Sequence, residues 1–410
     1  MMGANSSRHA VLWAFGLFTL VLIVAPLIFT SSLAISVLSQ IGCAIIICLS
    51  FNILFGQGGM LSFGHAVYSG LGAFAAVHAI QLASRGGLAI PLVLIPLVGG
   101  LASMLMAALL GFVSTRKAGT TFAMITLGIG ELVAAIALMF PGVFGGEGGI
   151  SINRVYGMPF FGLTFGPALQ VYGLIAVYCL VCTVAMFLFT RTPLGRMLNA
   201  VRDNPVRAEF IGYDPQRVRH LAFIVSGFFA GVGGALMAIH LEIVTGADSL
   251  GMVRSGAYLL FVFIGGAAFF LGPVLGAVLM VCSTVLLSHF TKAWLLYLGL
   301  AFVLMVIFAP GGLMGICVSV VHAFRSGRVR RNMGHCLLLC MAAVPEFLGA
   351  AALIEMTYHL QLEGDFEPTL HFLNFTLNVH NAVHWTVAAV VMLVCAATVK
   401  YALTELERSK

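Results

Sequence analysis

Apolar runs of about 20 residues recur along nearly the whole chain, and an α-helix needs a run of that length to cross the hydrocarbon core of a bilayer. They fall near 10–29, 33–55, 60–82, 91–113, 120–140, 169–190 and 221–241, and again near 294–312, 336–357 and 383–403, bounded by Gly, Pro or charge. Between them, 256–290 is one apolar stretch too long for a single ordinary span, interrupted at Gly265, Gly266, Gly272 and Pro273. It reads as two short or broken helices. The surface such a chain could offer to water is poor: only 8% of its 410 residues are charged, against roughly 25% in soluble domains. A soluble fold would leave large apolar patches open. Barrel strands alternate polar and apolar positions, and these runs do not. The fold class that follows is all-α: a polytopic transmembrane helical bundle of about ten spans with broken or short helices, plus a C-terminal helical hairpin.

The formal net charge of +6 does not point to nucleic acid here, because in a membrane chain the position of basic residues matters more than their sum. Six arginines lie between Arg191 and Arg219 and four between Arg325 and Arg331, which marks both segments as cytoplasmic. The loop from Tyr358 to His380 carries Glu363, Asp365 and Glu367 without Lys or Arg and belongs outside. With the N-terminus inside, Arg116, Lys117, both arginine clusters and the C-terminus fall on one side only if 256–290 crosses twice. The first run is longer than a usual signal-peptide core and no convincing cleavage site follows it, so it is read as an anchor. Cys179 and Cys182 form a C-x-x-C in mid-span, where small buried hydrophobes are the simpler reading. None of the four lysines follows a glycine, so there is no P-loop and the chain carries no ATPase site of its own.

The segment from Thr192 to Gly212 holds the clearest local design. Thr192 is placed to cap a helix and Pro193 to occupy its first position. Leu194, Met197, Leu198 and Val201 then recur at helical spacing as one apolar face, with Arg196, Asn199 and Asp203 on another. Asn204-Pro205 breaks the helix, and a second short turn ends near Gly212. Two readings remain: a surface helix on which a soluble motor docks, or an amphipathic loop that only carries the topogenic arginines.

The stretch "TPLGRMLNAVRDNPVRAEFIGYDPQRVRHLAFIVSGFFAGVGGAL" from Thr192 resembles the cytoplasmic loop and following helix of the branched-chain amino acid ABC transporter permeases, in particular the larger of the two permease types. "NILFGQGGMLSFGHAVYSGLGAF" from Asn52, "GTTFAMITLGIGELV" from Gly119, "GGEGGI" from Gly145, "GGAAFFLGPVLGA" from Gly265 and "FAPGGLMGI" from Phe308 follow in the family's order, so the likeness covers about 10–320. It implies the permease subunit of an ATP-driven importer in the bacterial inner membrane, for a branched-chain amino acid or a similar small polar solute. The implied partners are a second permease subunit, two cytoplasmic ATPase subunits, a periplasmic solute-binding protein and the lipid bilayer, without nucleic acid. No cofactor is implied. Import of urea or short amides is an alternative within the same family; a membrane-embedded enzyme and a passive channel are rivals from other classes. The enzyme reading lacks a nucleophile with a base, and the channel reading does not need the amphipathic cytoplasmic helix.

On this resemblance the ATPase-coupling residues are Arg196, Asn199, Arg202, Asp203, Asn204, Arg207 and Gly212. Pathway or gating candidates are Gly64, His65, Thr126 and Glu131. Glu131 lies 12 residues or so into its span, about 18 Å deep, where a carboxylate must be paired, protonated or facing water. A hydrogen-bonded structural acid is the plainer alternative, and a packed histidine is the plainer alternative for His65. Gly227 with Gly231 and Gly272 with Gly276 form G-x-x-x-G pairs that let helix backbones approach. Where the family usually has Gly-Gly-x-Gly-Thr, this chain has Gly265-Gly266-Ala267-Ala268-Phe269, so an altered turn is expected. The domain reading is a permease transmembrane domain over 1–320, a basic cytoplasmic linker over 321–332 and an accessory two-helix membrane extension over 333–410. His380 and His384, at i, i+4 spacing, do not suffice for a metal site without further ligands and their supporting contacts, and none is assigned.

Overall fold

A computed structural model describes residues 2–86, 90–156, 164–325, 333–362, 369–372, 375–378 and 380–408. The basic segment 326–332 and the acidic residues Glu363, Asp365 and Glu367 lie outside them. The described chain is almost entirely helical, and two compact units make it up: Met1–Val285 with Met305–Met314, and Leu286–Leu304 with Gly315–Lys410.

In the first unit the order is α1 (Met2–Ile28), α2 (Ser32–Asn52), α3 (His65–Ser84), α4 (Ile95–Ser114), α5 (Thr120–Met139), the single turn α6 (Pro141–Phe144), α7 (Ala168–Arg191), α8 (Pro193–Asp203), α9 (Pro205–Phe210), α10 (Pro215–Leu241), α11 (Gly246–Leu250), α12 (Met252–Gly265) and α13 (Gly272–Val281). Each apolar run becomes a helix, with two informative shifts. The third span begins at His65 rather than near 60, because α2 ends in a wide π turn over Ile53–Gln57 and the backbone then turns through Gly59 at φ 62°. The span after the arginine cluster begins at Pro215, since Asp214 caps it by accepting from the Gln216 and Arg217 amides.

α10 lies at the centre, packed along α4, α3 and α2. Small residues make this possible. A Cβ on Gly72 of α3 would collide with the Gly231 backbone, one on Gly234 with the backbone of Ser69, and one on Gly227 with Ala107 of α4. With backbones this close, Ser103 Oγ of α4 donates to the Tyr68 carbonyl of α3 at 2.6 Å. The stretch 256–290 is two helices: α12 stops at Gly266, whose φ of 109° only glycine adopts readily, and α13 folds back so that Gly272 meets Gly266 and Gly276 meets the Phe261 carbonyl.

Far from the arginine-rich segment, Ile150–Ser151 (β1) pairs antiparallel with Ile243–Val244 (β2) just beyond α10. Arg154 fixes this end. It pairs with Glu242 at 3.7 Å and donates to the carbonyls of Phe165 and Gly166.

The second unit begins with the single turn α14 (Ser288–Phe290) and contains most of α15 (Trp294–Phe308) and α16 (Gly312–Arg325), which are bent by 52° at the break between them. It also holds α17 (Met333–Leu362), an antiparallel ladder of β3 (Thr369–Phe372) with β4 (Phe375–Asn378), and α18 (Ala382–Arg408). Gly349 allows α17 to lie against Ala388 and Met392 of α18. Glu355 accepts hydrogen bonds from Thr291 Oγ1 at 2.5 Å and Tyr297 Oη at 3.0 Å. The helical spacing of His380 and His384 is not realised: Asn381 accepts from the Val383 amide at the start of α18, so His380 falls in the preceding turn. His384 Nδ1 accepts from the Asn378 amide at 2.8 Å.

Candidate functional site

The arginine-rich helix pair forms from its own sequence. Thr192 Oγ1 accepts from the Gly195 amide at 3.2 Å and Pro193 takes the first helical position. Asn204 repeats the device for α9, accepting from the Arg207 amide at 2.9 Å. Gly212, at φ 90°, ends the pair. Gly195, Leu198 and Val201 are buried, and Leu194 and Met197 are half-buried beside them.

Asn199 does not stay with Arg196 and Asp203. Its amide donates to Gln57 Oε1 at 2.9 Å, in the π turn at the end of α2. Arg202 reaches the same turn: one guanidinium nitrogen donates to the Gly56 carbonyl at 2.6 Å, while another pairs with Asp203 at 3.0 Å. Asn199 and Arg202 thus bolt the surface helix to the apolar bundle. Arg196, Asp203, Asn204, Arg207 and Gly212 face outward. So do three residues that charge patterning passed over: Val206, Ile211 and above all Phe210, which is 88% exposed. Large apolar side chains in a short segment otherwise rich in charge were the available signal. Gln57 offered none, since its partner is 142 positions away.

The pathway candidates divide into two settings. Gly64, His65 and Thr126 come together inside the first unit. Thr126 Oγ1 accepts from the Phe63 amide at 3.2 Å, and a Cβ on Gly64 would strike the Thr126 carbonyl, so α5 seats directly on the irregular backbone before α3. His65 is fully buried; its Nε2 shares a hydrogen bond with Ser50 Oγ at 2.9 Å, and its ring stands edge-on to Phe51. Ser226 of α10 donates to the Ser50 carbonyl and Ser255 of α12 accepts from the Ala66 amide. One polar knot therefore ties α2, α3, α10 and α12.

Glu131 is elsewhere. It lies on the outward face of α5 with Met124, Gly128 and Leu138, and no hydrogen bond or ion pair engages its carboxylate among the described residues. Nothing lies within 4 Å of a Cβ built on Gly128, so this face is open in the single chain. The thiols of Cys179 and Cys182 are buried and free.

Apolar helices around a glycine-packed core, with an amphipathic helix pair bolted to one end, define a multi-pass helical membrane protein. The chain belongs to the branched-chain amino acid permease family: the family model described as branched-chain amino acid transport system / permease component matches residues 33–310. It is similar to the high-affinity branched-chain amino acid transport system permease protein LivM of Escherichia coli strain K12, 30% identical over 292 residues that cover 66% of this chain and 67% of that protein. The LivM of Salmonella typhimurium strain LT2 matches with the same identity and coverage. No solved structure matches the chain.

Proposed function

We propose that this chain is the permease subunit of an ATP-driven importer in a bacterial inner membrane, and that it carries a branched-chain amino acid delivered by a periplasmic binding protein. Residues 1–320 serve as the translocating domain, 321–332 as a basic cytoplasmic linker and 333–410 as an accessory membrane hairpin. A second permease subunit completes the pathway, and two cytoplasmic ATPase subunits drive it. The observation that carries this reading is the α8–α9 pair. Its outer surface joins Arg196 and Arg207 to the exposed side chains of Val206, Phe210 and Ile211, a combination suited to a partner with an apolar pocket and acidic rim. Its inner surface is bolted to the end of α2 through Asn199 and Arg202, so displacement of the pair is transmitted into the bundle. Gly64, His65 and Thr126 lie along that route and act as the gate, where α2, α3 and α5 meet. The outward face of α5 is covered by the second permease, which supplies water or a donor to Glu131, because a carboxylate left against lipid is costly.

The test is ATP-dependent L-leucine uptake in vesicles holding the assembled transporter, with ATP hydrolysis measured in parallel. Arg196→Glu and Asp203→Arg should leave the chain in the membrane and lower uptake on the order of tenfold, while hydrolysis loses its response to the loaded binding protein. Unchanged uptake in both variants would remove the coupling assignment. Failure of the chain to copurify with any ATPase subunit would favour a passive channel.

A further inference from the structure

A cavity of about 130 Å³ opens in the first unit where α3, the last two turns of α10, α11 and the start of α12 meet, at the end of α10 remote from the arginine-rich segment. One water needs roughly 10–15 Å³ of such space, so the cavity has room for a small solute. Part of its lining is aliphatic, with Met237 and Val244 prominent. The remainder is polar and includes Asp248, Arg254 and Tyr258. The close seating of α11 brings the two charges here: a Cβ on Gly70 of α3 would run into Leu250 and the Ser249 carbonyl, so only glycine lets the segment after α10 fold down onto the bundle.

Three arginines of the first unit are held in ion pairs, and among the described residues Arg254 is in none. Arg154 is paired with Glu242, Arg202 with Asp203 and Arg217 with Asp214. Asp248 and Arg254 pair neither with each other nor with any other charged side chain among the described residues. Thr245 Oγ1 donates to Asp248 Oδ2 at 3.0 Å, which holds the carboxylate in place and leaves Oδ1 unengaged. Arg254 is half-buried and donates no hydrogen bond among the described residues. A guanidinium partly removed from water without a partner is costly, and its planar fork matches a carboxylate. An acid, a base and an aliphatic wall around one small cavity match the three parts of an aliphatic α-amino acid.

We propose that this cavity is a solute subsite of the permease itself, taking a zwitterionic aliphatic amino acid with its carboxylate on Arg254, its ammonium on Asp248 and its side chain against Met237 and Val244. The assignment rests on the importer reading and deepens it, since selection of cargo is then shared between the permease and the binding protein.

The experiment is calorimetric titration of the full-length chain in lipid nanodiscs with L-leucine, with isocaproate, which lacks the ammonium, and with isoamylamine, which lacks the carboxylate. Leucine affinity should fall on the order of tenfold in Arg254→Gln and in Asp248→Asn. Isocaproate should weaken only in Arg254→Gln, and isoamylamine only in Asp248→Asn. A misfolded variant cannot produce that crossed pattern. Absence of leucine binding to the unmodified chain, equal affinities in all three proteins, or a uniform loss of all three ligands would overturn the subsite. If such a result accompanies intact ATP-dependent leucine uptake by the assembled transporter, the subsite falls and the importer reading stands; absent uptake by the unmodified assembly would bring down the importer reading itself.

Discussion

α5 and α10 have almost the same mean hydropathy in their most apolar windows, 2.1 and 2.0, yet 33% of that window is buried in α5 and 78% in α10. Hydropathy places both in a membrane and says nothing about which of them forms the core. The difference comes from small residues. α10 carries Gly227, Gly231, Gly233 and Gly234 with Ala222, Ala230, Ala235 and Ala238, so three neighbouring helices reach its backbone. α5 buries one stripe through Phe122, Thr126, Gly130 and Val133 and turns Met124, Gly128 and Glu131 outward. Burial without a hydrophobic gradient between helices depends on close packing, and α10 is built for it against α4, α3 and α2.

The largest effect should come from breaking the core helix. Gly231→Val places branched carbon where Ser103 and the Gly99 carbonyl already stand; overpacking costs about 1–3 kcal/mol and more when backbone must move. Thermal unfolding of the purified chain should show a large loss or no folded protein. An unchanged Tm would show that the seam is not what holds α10.

A second prediction separates the two helices most sharply. Glu131→Leu should leave Tm within error, because the side chain is exposed and no hydrogen bond or ion pair engages it among the described residues, while uptake by the assembled transporter falls on the order of tenfold for want of the charged group. Glu131→Gln should retain more uptake than Glu131→Leu if the role is hydrogen bonding. A drop in Tm of the isolated chain would instead make Glu131 an internal structural acid.

The smallest effect belongs to the inward face of α5. Thr126→Val removes the acceptor for the Phe63 amide and should cost about 1 kcal/mol, read as a modest fall in Tm with Thr126→Ser restoring it.

Much of this was legible in the sequence. The apolar runs marked the helices, the Gly265–Pro273 interruption divided 256–290 correctly into α12 and α13, and Thr192-Pro193 with Asn204-Pro205 fixed where α8 and α9 begin. All of these are local: a cap bonds an amide two or three residues away, and hydropathy is summed over neighbours. Helical spacing grouped Asn199 with Arg196 and Asp203, and α8 forms over all three; it could not show that the Asn199 carboxamide, half-way around the helix from the apolar face, turns to Gln57. It paired His380 with His384 and failed because an asparagine cap started the helix after the first of them.

By itself, then, the sequence determined that the chain is a helical membrane protein, where its helices run and which segment forms the amphipathic surface pair. The tertiary structure alone decided that α10 is the core and α5 the rim, that Glu131 faces outward, and that Asp248 and Arg254 line one cavity. The physical reason is range. Helix formation and membrane insertion are set by side chains within a few turns of one another, whereas burial and charge pairing depend on which distant backbones the glycines allow to touch.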